Sequence, residues 1–410
     1  MTFRLCVLGG SAFSTVQLID SLADWPGGGE RRPAGLELVL HGRSPDRLDA
    51  VSAACQRRAA SCGLEITVRA EPELTCALEG ADAVLNQIRV GGLEERAVDE
   101  SFPRAFGLPG EETMGPGGLA CAVRTVSGLR PVWEQIARQA SSALLINLTN
   151  PAGIIQQAAR AEFGLPIVTI CDSPLVMLDR LTAALERPAA EVRGRYVGMN
   201  HVGWYLPADA TELRRLCADG DSDTAAMAAI YQALPAPYMR YYAFPGRCLK
   251  AQHGKPARAS ELMAMRQEML EQYRAGSLPA RWQRAAPWYR LAVVPLLDSW
   301  ISGSAEVLIV GLPNEGRLPW LPPDVIVEGP ALLTRPRQIE PQPVAGLPDL
   351  PRGLLAQHAA YERLTVEALT REPTADSLSR ALLANPMVRD LDQADLLAAA
   401  ILARDARAHG

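Results

Sequence analysis

The residues with chemistry to offer fall in a few short stretches. Cys171-Asp172-Ser173-Pro174 follows an apolar run at 167–170, and Asn200-His201 stand further on. A thiol and an imidazole are metal-ligand types, but two such ligands are fewer than the four of a closed structural zinc site, and a buried thiol explains Cys171 equally well. Pro237-Tyr238-Met239-Arg240-Tyr241-Tyr242 places three phenols together, which by composition reads as an aromatic core cluster. Arg89, Arg96, Asp99-Glu100 and Glu111-Glu112 lie in a glycine-rich segment that reads as a binding loop or as a mobile surface loop. Asn147-Leu148-Thr149-Asn150-Pro151 offers amides and a hydroxyl that could hold sugar hydroxyls or a nicotinamide amide, or could cap the next helix. Lys250 and Lys255, the only lysines among 41 basic residues, sit close to Arg258 and form a basic stretch where an anion could bind.

These groups need a scaffold, and the N-terminal half supplies an alternating one. An apolar run at 3–8 ends in Gly9-Gly10-Ser11-Ala12-Phe13-Ser14, with helical spacing resuming at Leu18, Ile19 and Leu22 from an expected cap at Ser14. A second run at 36–40 is followed by Ser44-Pro45, a cap and a first-turn proline. Further strands are expected at 83–88, 143–147 and 167–170, with helices at 132–140 and 153–161 between them. Such alternation predicts a parallel sheet flanked by helices, with ligands beyond the carboxyl ends of the strands. Gly9, Gly10, Ser11, Ala12 and Phe13 are then a candidate pyrophosphate loop, weaker than a full three-glycine fingerprint. The acid that would accept ribose hydroxyls after the second strand is absent, and Arg43 stands there, either on a 2′-phosphate or in solvent. Beyond position 195 proline-rich stretches break the pattern, so residues 1–195 are read as a Rossmann-like dinucleotide-binding domain and 196–410 as a mixed α+β domain. Within the latter, 336–351 reads as a long loop and 354–406 as mostly helical.

Composition narrows the partners. A net charge of −5 and a pI near 5.7 give no footprint for nucleic acid or an anionic membrane surface. The start of the chain lacks a signal-peptide core, and the apolar run at 396–403 is far shorter than the roughly 20 residues of a membrane-spanning helix. Eight cysteines without a paired framework read as free thiols, mostly small core residues, in a reducing cytoplasm.

Taken in order, VLGGSAFST, QIRVGGLEERAVDE, GEETMGPGG, INLTNPAG, CDSP, GMNHVGW, PYMRYY, YERLTVEAL and ALLANPMV make the chain resemble glycoside hydrolase family 4, over nearly its whole length. The resemblance implies a lactate/malate dehydrogenase-like architecture, a homodimer or homotetramer, and an O-glycosidase acting on 6-phospho-glucosides. It implies NAD, or NADP, together with Mn²⁺ or another divalent metal. Family chemistry oxidises C3 of the sugar, removes the proton on C2, expels the leaving group from C1, adds water and returns the hydride, in place of the usual carboxylate pair. By position, Cys171 and His201 match the metal ligands, Tyr238 the C2 base, and Asp172 the leaving-group acid of the α-specific branch, where β-specific relatives usually carry Asn. Gly9 to Phe13, Arg43, Arg89 and Asn147 fall on the cofactor side; Arg89, Glu112, Asn150, Asn200 and Arg258 fall on the sugar side. A tyrosine base implies a pKa lowered by a nearby cation. Residues 284–289 stand where the family has a glycine-rich, tyrosine-containing segment, here without paired glycines. Two other readings accompany the glycosidase: an NAD(P)-dependent sugar dehydrogenase and a binding homologue with impaired turnover.

Overall fold

The computed structural model describes residues 2–26, 28, 31–218, 220–334, 338–344 and 346–409. Its frame is one mixed sheet. Strands β1 (Phe3–Leu8), β2 (Leu36–His41), β3 (Thr67–Glu71), β4 (Ala83–Asn86), β5 (Leu144–Asn147) and β6 (Val168–Thr169) run parallel in the order β3-β2-β1-β4-β5-β6. The order reverses direction between β1 and β4, so the loops after these two strands diverge and leave a crevice at their carboxyl ends. Burial on both faces explains why these strands read as short continuous apolar runs.

The sheet does not stop at the expected boundary. β10 (Val307–Pro313) lies antiparallel to β6, and β11 (Ile326–Thr334), β7 (Tyr196–Met199), β8 (Val202–Tyr205) and β9 (Leu234–Pro235) continue it, with β12 (Gln338–Pro341) against β11. Two apolar clusters fill the two faces, one around Trp133, Trp204 and Tyr361 and one around Leu5, Tyr205 and Tyr289.

Several local expectations need correction. β3 escaped detection because TVRAE is an edge strand with charged side chains and little periodicity. Ser14 is no helix cap: Phe13–Thr15 is a 3₁₀ turn, and the helix Val16–Ala23 starts after it. The helix expected at 132–140 is the end of Gly115–Gln139, which runs through Pro131. The glycines at its start therefore belong to a packed helix rather than to a mobile loop. A Cβ at Gly117 would lie 2.1 Å from the Glu111 carbonyl oxygen and 2.5 Å from that of Asp99, and one at Gly118 would lie 2.5 Å from Thr113. Part of the expected 336–351 loop is β12; residues 335–337 and 345 lie outside the described residues. The helical C-terminus is present as Asp349–Leu369, Ala375–Ala384 and Leu391–His409. All eight cysteines are free, and five are buried, but Cys62 and Cys76 are exposed rather than core thiols.

Candidate active site at the carboxyl end of the parallel strands

The turn after β1 fits a dinucleotide. Gly9 has φ +79°, open to glycine, and a Cβ there would lie 2.9 Å from the Gln87 carbonyl. Gly10 has no more room, with Leu40 Cβ 2.8 Å from where its own would be. Ser11, Ala12 and Phe13 close the turn, the Ala12 amide donating to the Gly9 carbonyl at 3.1 Å. The loop is pinned from residues that sequence reasoning missed. Gln87 donates to the Gly9 carbonyl at 3.2 Å and to Thr15 Oγ1 at 3.0 Å, and Tyr289 donates to Gln87 at 2.7 Å. At the end of β5, Asn147 is 1% exposed; its amide donates to the Thr149 carbonyl and accepts from Asn86, so it shapes the turn that carries Asn150. Arg43 is exposed beyond β2.

A buried polar chain leads from the Glu111-Glu112 pair to His201. Glu111 Oε2 accepts from the Thr113 amide (2.6 Å), the Thr113 hydroxyl (2.5 Å) and the Met114 amide (2.8 Å). Because the Thr113 hydroxyl donates to Glu111, its 2.7 Å contact with His201 Nδ1 makes the ring nitrogen the donor. His201 thus carries its proton on Nδ1 and presents the Nε2 lone pair, the tautomer a metal requires of an Nε2 ligand. Burial lowers the pKa of its ring to about 4, which keeps it neutral. The β7–β8 hairpin turns at His201 itself, with φ +66°, an uncommon backbone state for a side-chain-bearing residue.

Cys171 is 7% exposed and precedes the helix Asp172–Leu185. Burial, then Glu328 and Asp172, push its thiol well above the usual range, so an ion bound there must displace a proton. Asn200 is 7% exposed; its oxygen accepts from the Ala152 amide at 3.1 Å, and its side chain lies beside Cys171 and Glu328 and lowers the pKa of both. Its side chain therefore holds the turn after Asn150 in place. Among the described residues no group of three or more His, Cys, Asp or Glu forms a closed metal site. A neutral His tautomer and one thiol, with no third ligand, fit a divalent ion that also takes oxygens from a ligand.

Tyr238 stacks on His201 with ring centroids 3.9 Å apart and planes 10° from parallel. Its hydroxyl feels Cys171 and Asp172, so the three expected residues meet at one place. The expectation of a lowered pKa does not hold for the protein residues alone: burial, then Glu111, Cys171, Asp172 and Glu112, push this phenol up. A cation held beside this hydroxyl would oppose the rise. Asp172 is likewise raised by burial, with Arg284 opposing.

Glu112 is 5% exposed; burial raises its pKa, but Arg89 and Arg96 outweigh this and hold it low. Arg89 pairs with Glu112, and Arg96 bridges Glu112 and Glu100, both at 2.7 Å. Next to them is a cavity of about 500 Å³ lined by Arg96, Arg104, Tyr238, Tyr241, Lys255 and Arg258 among others. Arg258 is exposed and paired with Glu261. The segment at 284–289 contributes more than its missing glycines suggest. Arg284 is half-buried and has no ion-pair partner among the described residues; burial, then the charges of Arg96, Arg258 and Arg89, lower its pKa, while Asp172 raises it. Gln17 fixes this segment, donating to the Arg284 carbonyl at 3.0 Å and accepting from the Ala286 amide at 2.8 Å.

Known proteins resemble the chain in sequence and in fold. Residues 9–187 match the family described as Family 4 glycosyl hydrolase, and 196–388 its C-terminal domain. The chain is 28% identical to a maltose-6′-phosphate glucosidase of Bacillus subtilis, over 97% of this chain and 94% of that protein. It is also 28% identical to a 6-phospho-beta-glucosidase of Thermotoga maritima, over 78% of this chain and 80% of that one. A solved Thermotoga maritima 6-phospho-beta glucosidase with NAD and glucose-6-phosphate superposes with a TM-score of 0.88 at 23% identity, covering 99% of each chain. A malate dehydrogenase of Plasmodium falciparum shares the fold more loosely, with a TM-score of 0.53 at 12% identity, over 90% of this chain and 100% of that one.

Proposed function

Since the chain belongs to family 4 of the glycosyl hydrolases, we propose that it hydrolyses 6-phospho-glucosides by redox-assisted elimination and addition. The observation that carries the substrate reading is Arg284, a half-buried guanidinium without an ion-pair partner, facing the charges of Arg96, Arg258 and Arg89. Arg89, Arg96 and Arg258 each already pair with a carboxylate, which leaves Arg284 to meet an incoming anion, and a phosphate on C6 is such an anion. This also favours turnover over an impaired binding homologue, because the changed segment still delivers its cation.

Gly9 to Phe13, with Arg43 beyond β2, would hold NAD or NADP, and Cys171 and His201 would hold Mn²⁺ or another divalent ion. When bound, the cofactor supplies reversible hydride acceptance and the ion supplies positive charge beside the sugar oxygens. The chain's own residues do the rest. Tyr238 takes the proton from C2, its phenolate stabilised by the positive charge beside His201. Asp172, its pKa raised by burial, is placed to give a proton to the leaving oxygen on C1. Glu111 and Thr113 hold His201 in its ligating tautomer, and Asn150 and Glu112 line the sugar. Residues 1–195 supply the cofactor side together with Cys171, Asp172, Arg89 and Arg96, and 196–410 supply His201, Tyr238, Arg258 and Arg284. Free thiols fit a cytoplasmic enzyme, and the exposed Leu391 and Leu396 suit burial in a homodimer or homotetramer.

The test uses aryl glucosides of both anomers, with and without the 6-phosphate, in deuterated water with cofactor and Mn²⁺. Turnover should require the phosphate and place deuterium at C2. Arg284→Gln should raise KM for phosphorylated substrates about 10- to 100-fold. Hydrolysis without C2 exchange would overturn the mechanism, and equal turnover of unphosphorylated glucosides would overturn the substrate. Net accumulation of reduced cofactor would point to a dehydrogenase instead.

A further inference from the structure

The adenosine end of the cofactor site departs from the pattern that accepts a free ribose. In a parallel sheet of this kind the end of β2 borders the nucleotide loop after β1, and a carboxylate there accepts the ribose 2′- and 3′-hydroxyls. Here β2 and β1 pair with Leu8 opposite His41, and the Gly10 amide donates to the His41 carbonyl at 2.8 Å, so the two ends touch. The chain continues Gly42-Arg43-Ser44, and a Cβ on Gly42 would lie 2.8 Å from Ser11 Oγ. No residue from His41 to Ser44 is acidic. His41 is 8% exposed and its Nδ1 lies 3.0 Å from the Glu71 carbonyl, so its ring is committed away from the loop.

The nearby carboxylates are also engaged or turned outward. Glu71 pairs with Arg69 at 2.9 Å and accepts from the Glu73 amide at 3.1 Å; Glu94 pairs with Arg266 at 2.7 Å. Asp46 is exposed one position into the following helix. Arg43 makes no hydrogen bond or ion pair among the described residues, and the same holds for exposed Arg47 one helical turn on. Ser44 precedes that helix without using its hydroxyl as a cap. An unpaired guanidinium and an uncommitted hydroxyl next to the nucleotide loop, with no acid from His41 to Ser44 to bind ribose hydroxyls and with Arg47 beside the exposed Asp46, match a phosphate monoester.

We propose that this enzyme prefers a dinucleotide carrying a 2′-phosphate on its adenosine ribose, NADP rather than NAD, with Arg43 and Ser44 as the residues that select it. The proposal rests on the reading of the chain as a nicotinamide-dependent enzyme.

Calorimetry on the purified protein with NADP⁺, NAD⁺, 2′,5′-ADP and 5′-AMP tests it without turnover. NADP⁺ should bind at least tenfold more tightly than NAD⁺, and 2′,5′-ADP more tightly than 5′-AMP. Arg43→Ala should weaken NADP⁺ at least tenfold more than NAD⁺ and so remove that advantage, and Arg43→Lys should restore part of it. Equal or tighter binding of NAD⁺ by the unaltered protein, or an Arg43→Ala variant that weakens both dinucleotides alike, overturns the specificity and leaves the nicotinamide-dependent reading standing. Binding of neither dinucleotide overturns both.

Discussion

Thr113→Val is the sharpest probe of how His201 is prepared for a metal. Valine keeps the volume of threonine but removes both the hydroxyl that donates to Glu111 at 2.5 Å and the acceptor 2.7 Å from His201 Nδ1. Glu111 retains the Thr113 and Met114 amides, so the loop keeps most of its anchorage. In the metal-free variant the neutral ring is free to move its proton to Nε2. Binding an ion through Nε2 then forces an unpaired N–H into a buried site, at a cost of about 1–3 kcal/mol that appears only in the metal-bound state. At 1.4 kcal/mol per factor of ten, this agrees with the roughly 10- to 100-fold loss seen when outer partners of metal ligands are removed. Titration with Mn²⁺, followed by electron paramagnetic resonance of the free ion, should show Kd rising by that factor. Thr113→Ser, which keeps the hydroxyl, should stay within about threefold. Unchanged Mn²⁺ affinity in the valine variant, alongside loss of binding in Cys171→Ser, would refute the tautomer argument.

Other perturbations follow from the same geometry. Tyr238→Phe should lower kcat about 10²- to 10⁴-fold with little change in KM, and should abolish deuterium exchange at C2, read by NMR of the sugar. Gly117→Ala should cost more than about 4 kcal/mol in a urea melt, because the new methyl would fall 2.1 Å from the Glu111 carbonyl oxygen. His201 is depressed from 6.5 to about 4 in the folded protein, so the unfolded chain binds the extra proton between those values. The metal-free protein should therefore lose up to about 3 kcal/mol from this residue as the pH falls from 6.5 to 4, and denaturation curves of His201→Asn should lack that component.

Much of the scaffold could be read from local pattern. β1, its glycine turn and the next helix are contiguous, and each obeys a short-range rule. Cys171, His201 and Tyr238 could be named because their motifs occur in a specific order. What could not be read is what holds them. Thr113 and His201 are 88 positions apart, and Gln17 and Ala286 are 269 apart; no periodicity relates such pairs. The place of Arg284 does not follow from the missing glycines of its segment, because the guanidinium is placed by the backbone that Gln17 clamps. The helix Gly115–Gln139 was half missed because Gly, Pro and Gly ordinarily mark a loop, and only the close approach of Glu111, Asp99 and Thr113 shows why small residues are needed there. The rise in the Tyr238 pKa is also a product of the fold, since the acidic groups responsible come from two separate segments, 111–112 and 171–172.

The clamp by Gln17 has one more consequence. Gln17 sits on the helix that begins just past the nucleotide loop, and both its amide atoms grip the strand of chain carrying Arg284. A dinucleotide that settles this helix in place also settles the guanidinium meant for the sugar's phosphate. Thermodynamic reciprocity then requires the sugar phosphate to tighten the dinucleotide by the same factor, so that each ligand reports the other's presence through a single glutamine.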